Sequence, residues 1–505
     1  MQNRNKGIAL SYLHTAVNMV CGLILSAFLL RTLGDTEYGI YQTIASFANC
    51  LVLLEFGMGT VIVRNISMCR GRGAETQELQ RNISTIWTMT WGLCGLIAAV
   101  SVLFYLVIPT IYAESMSPNQ TAYAQRIFVF ITGYLIMSFL LQTLNGVILA
   151  HEHYAYTPIL TTVRTVVRMV LLIVILMQYR YAILIAVVDM TVNGACLAVS
   201  YGFCKKKLSI KLLPGVCDKV ILRTALPLCL AIFLQAIVNQ ASQNAAKFLI
   251  GITMSPESVT LYSVALYIFS IFASLTTIPV SMYAPEVTRK VGAGLEGKEL
   301  AGEIVEPCRL TALIGGMVLF GFVAVGRQFV GLLYGQAYLQ AWYIAILLMV
   351  PVYINMVNGV LVNVLDALNK RMSRSLVLIV STGVNIVLTI FWLDRWGLMG
   401  AAAAMALSTL LGQVLAMNVY YHKVLRIPVL WLFRQAFRGI WPYLIIGCAA
   451  ALAVGQVIPG QLVSFLVSGC LFVAIVLGGY TCFGMTESEK QQLRKIVNRG
   501  KRYGG

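Results

Sequence analysis

Apolar runs of 20 or more residues recur along this chain with almost no charge inside them, and that feature decides which solvent it folds in. Wound as an α-helix at about 1.5 Å per residue, such a run spans the roughly 30 Å hydrocarbon core of a bilayer. Alternation of period two is absent, so the runs read as helices and not as strands of a membrane barrel. Only 11% of residues are charged and 59% are hydrophobic, with a mean hydropathy of +0.81. Soluble domains carry about a quarter charged residues. The expected fold class is an all-α integral membrane protein.

Fourteen spans are expected, near residues 8–30, 38–63, 84–112, 122–149, 156–178, 181–204, 222–250, 259–285, 309–333, 339–365, 374–393, 397–421, 438–458 and 461–484. An even number puts both termini on one side. Basic residues fall on alternate connections: Arg4 and Lys6, Arg64 to Arg81, Lys205 to Lys219, Arg289 to Lys298, Lys370 to Arg374, Lys423 to Arg438, and the tail from Lys490. Lys and Arg gather on cytoplasmic loops, so the N- and C-termini are expected in the cytoplasm. The first run ends at Arg31 without a small-residue cleavage site, so it reads as a retained span and not a removable leader.

The chain also repeats itself. Leu33-Gly34, followed by Tyr38-Gly39, is matched by Ile250-Gly251, followed by Tyr262-Ser263; the glycine pair, His151 with Asn369 and Tyr181 with Gly397 share an offset of about 217 residues. Duplicated helix bundles are how many transporters build a site that faces either side of a membrane. The domains expected are a six-helix lobe over 1–204, a basic connector over 205–221, a second six-helix lobe over 222–425, two additional helices over 438–484, and a basic tail over 485–505. Thr486 and Glu489 form a capping-box pattern ahead of the tail's basic helix, which is expected to lie on the lipid surface.

Several function classes fall away. The net charge of +18 is spread over short loops that suit anionic lipid headgroups, and it lacks the interleaved aromatics of a nucleic-acid surface. The twelve cysteines include no CxxC pair, and most sit in apolar runs as small hydrophobes. Gly292 to Lys298 matches the glycine and lysine spacing of a phosphate-binding loop. Glu299 stands where a hydroxyl must hold magnesium, however, and the stretch follows a helix and not a strand. His151 and His153 on a short turn are expected to be solvated side chains and not metal ligands. Five Asp residues, no DxD pair and no long external loop leave no room for a glycosyltransferase site. No enzyme, cofactor or metal is expected.

Polar groups inside the spans are where function is to be sought, because each is costly in hydrocarbon. On the seventh span Gln235, Asn239, Gln243 and Lys247 recur at every fourth position, with Gln240 and Asn244 beside them, making one polar helical stripe. The first span carries a weaker one through Ser11, His14, Thr15, Asn18, Gly22 and Ser26. Such stripes either line a hydrated cavity or hydrogen-bond between packed helices. Arg164 and Arg168 lie one turn apart on the fifth span, and Asp189 on the sixth lies at a depth where it can pair with Arg168. Glu55 on the second span and Asp366 at the end of the tenth are, with Asp189, the acids placed to take up a coupling ion. Pro279 and Pro351 fall inside spans and suit bends.

Arg31-Thr32-Leu33-Gly34 with Glu37-Tyr38-Gly39-Ile40-Tyr41, then Glu55-Phe56-Gly57-Met58-Gly59 and Arg64, resembles the start of the polysaccharide flippases that export O-antigen, capsule and teichoic acid units. Asn239 through Gly251, Tyr262 to Ala265, and Asn385 with Trp396 to Ala402 are similar to that family too, so the resemblance covers about residues 1–425. It implies two pseudo-symmetric six-helix lobes around a central cavity, a place among multidrug antiporters and lipid II flippases, and residence in the bacterial cytoplasmic membrane. The chain departs from lipid II flippases in lacking their arginine cluster in the first two spans, and it has Lys247 where many relatives place an acid. The implied cargo is a lipid-linked oligosaccharide. Its pyrophosphate would meet Lys247, Arg164, Arg168 and Arg31, and its sugars would meet Asn18, Ser26, Gln235, Asn239 and Gln243. Membrane lipids, a proton or sodium gradient and a polysaccharide polymerase complex are the partners expected. A cation-coupled drug antiporter and a non-transporting scaffold of a glycan assembly complex are the rival readings.

Overall fold

The computed structural model describes residues 2–49, 51–52, 62–63, 66, 76–113, 116–151, 153–208, 210, 215, 218, 244–368, 370–486 and 489–490. Among these the chain is helical, with no strand. A lone strand inside a bilayer would leave its N–H and C=O groups without partners, whereas a helix satisfies its own. Ten of the helices are long and apolar enough to cross a membrane, or eleven counting a pair bent by 50° at 429–457. Large apolar side chains on their outer faces, such as Leu103, Leu106, Phe391 and Phe483, are left exposed, as a lipid solvent allows. The chain is a multi-pass membrane protein.

Two compact units divide at Ser263 and Val264. The first holds α1 (Gln2–Leu33), α2 (Asp35–Ala48), α3 (Thr76–Ile111), α4 (Pro118–Ala150), α5 (Tyr156–Gln178), α6 (Ile183–Lys206), a helical segment at 244–253 and the start of α7 (Pro256–Gly292). Within it α4 packs against α2, α3 and α6, and α5 packs against α1 and α6. Short-range chemistry sets the boundaries. Gly34, at φ 78°, ends α1 in a conformation that a Cβ disfavours, and Ser117 with Gln120 makes a capping box ahead of Pro118 at the start of α4. The Glu37 carboxylate accepts from the Ala182 N–H at 3.0 Å and from the Tyr123 hydroxyl at 2.9 Å, while the Ile183 N–H donates to that hydroxyl. An acid thus serves the orphan N–H groups at the start of α6 from a distant part of the chain. At Gly39 any Cβ would collide with the Pro256 carbonyl, so α2 and α7 cross with backbone against backbone. The Glu37-Tyr38-Gly39 signature is therefore a packing joint.

The second unit holds the rest of α7, then α8 (Gly297–Glu303), α9 (Val305–Leu333), α10 (Gln340–Val357), α11 (Gly359–Ala367), α12 (Arg371–Thr409), a π-helical stretch at Leu410–Ala416, α13 (Met417–Val424), α14 (Val429–Phe437), α15 (Trp441–Val457) and α16 (Gln461–Gly479). Its centre is α9, which packs against α10, α14, α15 and α16 around Ile304, Cys308, Ala312 and Leu444. The run Met372–Val424 is 53 residues long. Straight, it would reach about 80 Å, more than twice the hydrocarbon thickness. Gly397, at φ 56° and ψ −141°, breaks it, and a Cβ on Gly400 would strike the Trp392 carbonyl, so the chain doubles back there. The spans expected at 374–393 and 397–421 meet at this turn. Of the expected second span, α2 ends at Ala48 and most of the remainder lies outside the described residues; of the seventh, only the last residues are described.

Candidate functional site

Three of the charges expected inside spans, Arg164, Arg168 and Asp189, lie together between α5 and α6. On α5, Arg164 and Arg168 are separated by one helical turn and project from one face; on α6, Asp189 and Asn193 have the same spacing. Antiparallel packing of the two helices matches the sets rung for rung. Arg168 holds Asp189 through both guanidinium and carboxylate edges, Nε to Oδ1 and Nη2 to Oδ2, the latter at 3.0 Å. Arg164 donates from Nη1 to Oδ1 of Asn193 at 3.0 Å, and Asn193 in turn donates to the Asp189 carbonyl at 3.0 Å. Asp189 and Asn193 are buried. About half a turn nearer the start of α5 than Arg164, the Thr162 hydroxyl lies 3.3 Å from Nδ1 of His14 on α1.

The two rungs differ in charge. Arg168 and Asp189 cancel, and a bidentate pair of this kind is directional and difficult to open in a low dielectric. Arg164 meets only an uncharged amide and makes no ion pair among the described residues. Asn193 lies about 15 Å from the start of α6, and Arg164 about 12 Å from the start of α5 and about 21 Å from its end, so the guanidinium sits inside the helical hairpin and not at its ends. It does not reach out to the interface as long basic side chains near helix ends do.

Of the other residues expected from sequence, Lys247 lies in the segment 244–253, half-buried and without a hydrogen bond or ion pair among the described residues. Next to it Phe248 stacks on Phe47 of α2. Asn18 is exposed on α1, Ser26 is buried and donates to the Leu23 carbonyl, and Arg31 is exposed in the last turn of α1. Asp366 falls in α11. Glu55, Gln235, Asn239 and Gln243 lie outside the described residues. His151 Nδ1 meets the Val147 carbonyl at 2.8 Å, and the His153 ring stands edge-on to Phe203.

The sequence reading missed a polar seam in the second unit. Asn355 of α10 donates to Gln413 at 2.9 Å, Asn358 donates to Asn418 at 2.6 Å, and Ser373 meets the Tyr420 hydroxyl at 2.9 Å. Gln413 is presented by the π-helical stretch, whose extra residue per turn shifts the face it offers. The signal was present as isolated amides in apolar runs, but no single stripe gathers them.

The family described as "Polysaccharide biosynthesis protein" matches residues 5–291, more than half the chain and the whole of the α5–α6 site. The chain belongs to that family. No curated protein matches the sequence. Among solved structures, members of the wider transporter fold align over nearly the full chain. A structure titled lipid II flippase MurJ, inward closed conformation, superposes with a TM-score of 0.74 at 13% identity, over 94% of this chain and 98% of that one. The eukaryotic MATE transporter AtDTX14 gives 0.60 at 14% identity, over 86% and 98%. A MOP superfamily transporter from Pyrococcus furiosus, described as having a binding pocket of reverse polarity, gives 0.55 at 11% identity, over 86% and 96%. At these identities the likeness is one of fold. This family member therefore has the flippase and MATE type of fold, and what it carries must be argued from its own residues.

Proposed function

We propose that this protein is a flippase of the bacterial cytoplasmic membrane, moving a polyprenyl-pyrophosphate-linked oligosaccharide from the cytoplasmic to the external leaflet for surface polysaccharide synthesis. The observation that carries this reading is Arg164, a guanidinium held inside the α5–α6 hairpin by Asn193 with no acid among the described residues to neutralise it. An intramembrane cation is costly unless something compensates it. The pyrophosphate of a lipid-linked sugar has the complementary problem, since an unpaired anion in hydrocarbon costs many kcal/mol. Each group solves the other's desolvation, and Lys247 supplies a second cation without a partner among the described residues.

In this reading fourteen helices form two pseudo-symmetric six-helix lobes, 1–204 and 222–425, joined by the connector 205–221 and followed by the pair at 438–484, with both termini cytoplasmic as the basic loops require. The doubled-back run Met372–Val424 and the bent pair at 429–457 support that count. Rocking of one lobe against the other would carry the headgroup across while the prenyl chain stays in lipid. Membrane lipids and a polysaccharide polymerase complex are the partners this role implies. A coupling proton or sodium ion on Asp189 would first have to open its pair with Arg168, which leaves Glu55 and Asp366 as the simpler coupling acids. A drug antiporter of the same fold needs an acid free to exchange its ion deep in a lobe, and the pair with Arg168 disfavours Asp189 for that role.

The test is translocation of a fluorescent polyprenyl-pyrophosphate oligosaccharide in proteoliposomes, with no gradient and with proton or sodium gradients. The intact protein is expected to expose the glycan on the far face, and Arg164→Gln to slow this by about ten- to a hundredfold, the worth of one or two hydrogen bonds to a charged group. Failure of the intact protein to move any glycan lipid under all three conditions would overturn the reading.

A further inference from the structure

Two lateral grooves occupy matching places in the two halves of the chain. One lies between α5 and α6, with a volume of about 330 Å³. The other lies between the two arms of the doubled-back run in the second unit, with a volume of about 300 Å³. Adding about 217 to the numbers of the first wall gives the second: Val163 becomes Val380, Arg164 becomes Ser381, Thr191 becomes Ser408 and Ala195 becomes Gly412. Chance packing defects would not fall at the repeat offset, so the grooves are part of the duplicated architecture.

Their walls are apolar and open outward, with Val163 and Val199 more than half exposed in the first and Val380 in the second. Along α5 the first groove runs from Leu160 to Leu171, about 17 Å, roughly half the hydrocarbon thickness. The two differ in the residue type at one bordering position. Arg164 borders the first groove. At the equivalent place in the second stands Ser381, whose buried hydroxyl has no hydrogen-bond partner among the described residues and is pressed against Gly412.

We infer that the α5–α6 groove is a subsite for a prenyl phosphate, the phosphate lying on Arg164 and the first isoprene units lying along Val167 and Leu171; this rests on the flippase reading above. Two features select this occupant. The apolar, open wall fits a branched hydrocarbon chain, and the cation at its edge is complementary to a phosphate. The depth decides between sources. The phosphate of a resident phospholipid stays at the interface, about 15 Å from the bilayer centre, whereas Arg164 stands about 12 Å along α5 from its nearer end and is held there by Asn193. Only a lipid whose headgroup is being carried inward brings its phosphate to that level. The second groove, lacking the cation, has no such selectivity.

The experiment uses the full chain in lipid nanodiscs with a photoreactive diazirine-bearing prenyl pyrophosphate, and crosslinks are mapped by mass spectrometry. Crosslinks are expected on the α5 and α6 walls, competed by unlabelled prenyl pyrophosphate and not by phosphatidylglycerol. Arg164→Gln is expected to lower their yield about tenfold or more. Val167→Trp, which fills the groove, is expected to do the same while Val384→Trp in the second groove does not, melting temperatures showing that all three variants fold. Equal competition by phosphatidylglycerol would make the groove a phospholipid site and overturn the inference. Crosslinks confined to other helices, in a protein that still translocates the glycan lipid, would overturn the subsite and leave the flippase intact. Absence of both crosslinking and translocation would remove the two together.

Discussion

Arg164 and Arg168 are identical in type and one turn apart, yet their surroundings assign them different work. Arg168 and Asp189 stabilise the α5–α6 pair only as a pair: removing one leaves the other buried and charged, at a cost of about 3–5 kcal/mol. Arg168→Ala is accordingly expected to lower the apparent melting temperature in detergent sharply, and Arg168→Ala with Asp189→Ala to recover much of the loss; equal loss in single and double variants would contradict the pairing. This pair was legible in the sequence, because helical rise alone puts both residues at one depth of a tight hairpin. The neighbouring rung was not. Asn193 carries no charge to announce it, and only the packing of α5 on α6 shows that it meets Arg164 and leaves that cation without an acid among the described residues. The role of Glu37 in serving the start of α6 was equally hidden, since its partners are 86 and 145 residues away.

Elements are fixed at their ends by single side chains. Arg309, near the start of α9, donates to Glu489 at 2.8 Å, to the carbonyls of Gln435 and Arg438 at 3.0 and 2.7 Å, and to the Gly484 carbonyl at 2.9 Å. One guanidinium thus ties α9, the end of α14, the end of the last span and the tail. The capping box foreseen at Thr486 and Glu489 forms, the Thr486 N–H donating to the Glu489 carboxylate at 2.7 Å and the Glu489 N–H to the Thr486 hydroxyl at 3.4 Å. Its anchoring to Arg309 was not foreseen, because a local motif says nothing about what lies across from it. Burial alone would push the Glu489 carboxyl up, but the bonds from Arg309 and Thr486 prevail and hold it below the usual carboxylate range. A carboxyl lowered on folding stabilises fully above its unfolded value, near pH 4.3, and loses that contribution as pH falls through the lowered one. Glu489→Gln is therefore expected to lower the melting temperature near pH 7 and to show a weaker acid-induced decline than the parent. Parallel declines would show that Glu489 does not carry the effect.

At the scale of the whole molecule, the length and frequency of the apolar runs made the membrane and the helices legible, since hydrocarbon leaves the backbone no other option. The repeat was legible in its punctuation, and the twin grooves at the same offset give it structural content. What remained hidden was the divergence of the halves: Arg164 in one and Ser381 in the other are the same place in the duplication with opposite consequences for an anion. On the flippase reading proposed above, that asymmetry favours an anionic lipid over an organic cation as cargo. The most direct measurement is a comparison in the same proteoliposomes of initial rates for a polyprenyl-pyrophosphate oligosaccharide and for a lipophilic organic cation under an imposed proton gradient. The account predicts translocation of the glycan lipid that falls with Arg164→Gln, and no gradient-driven movement of the cation. Gradient-driven cation movement that is indifferent to Arg164, with the glycan lipid left in place, would contradict it.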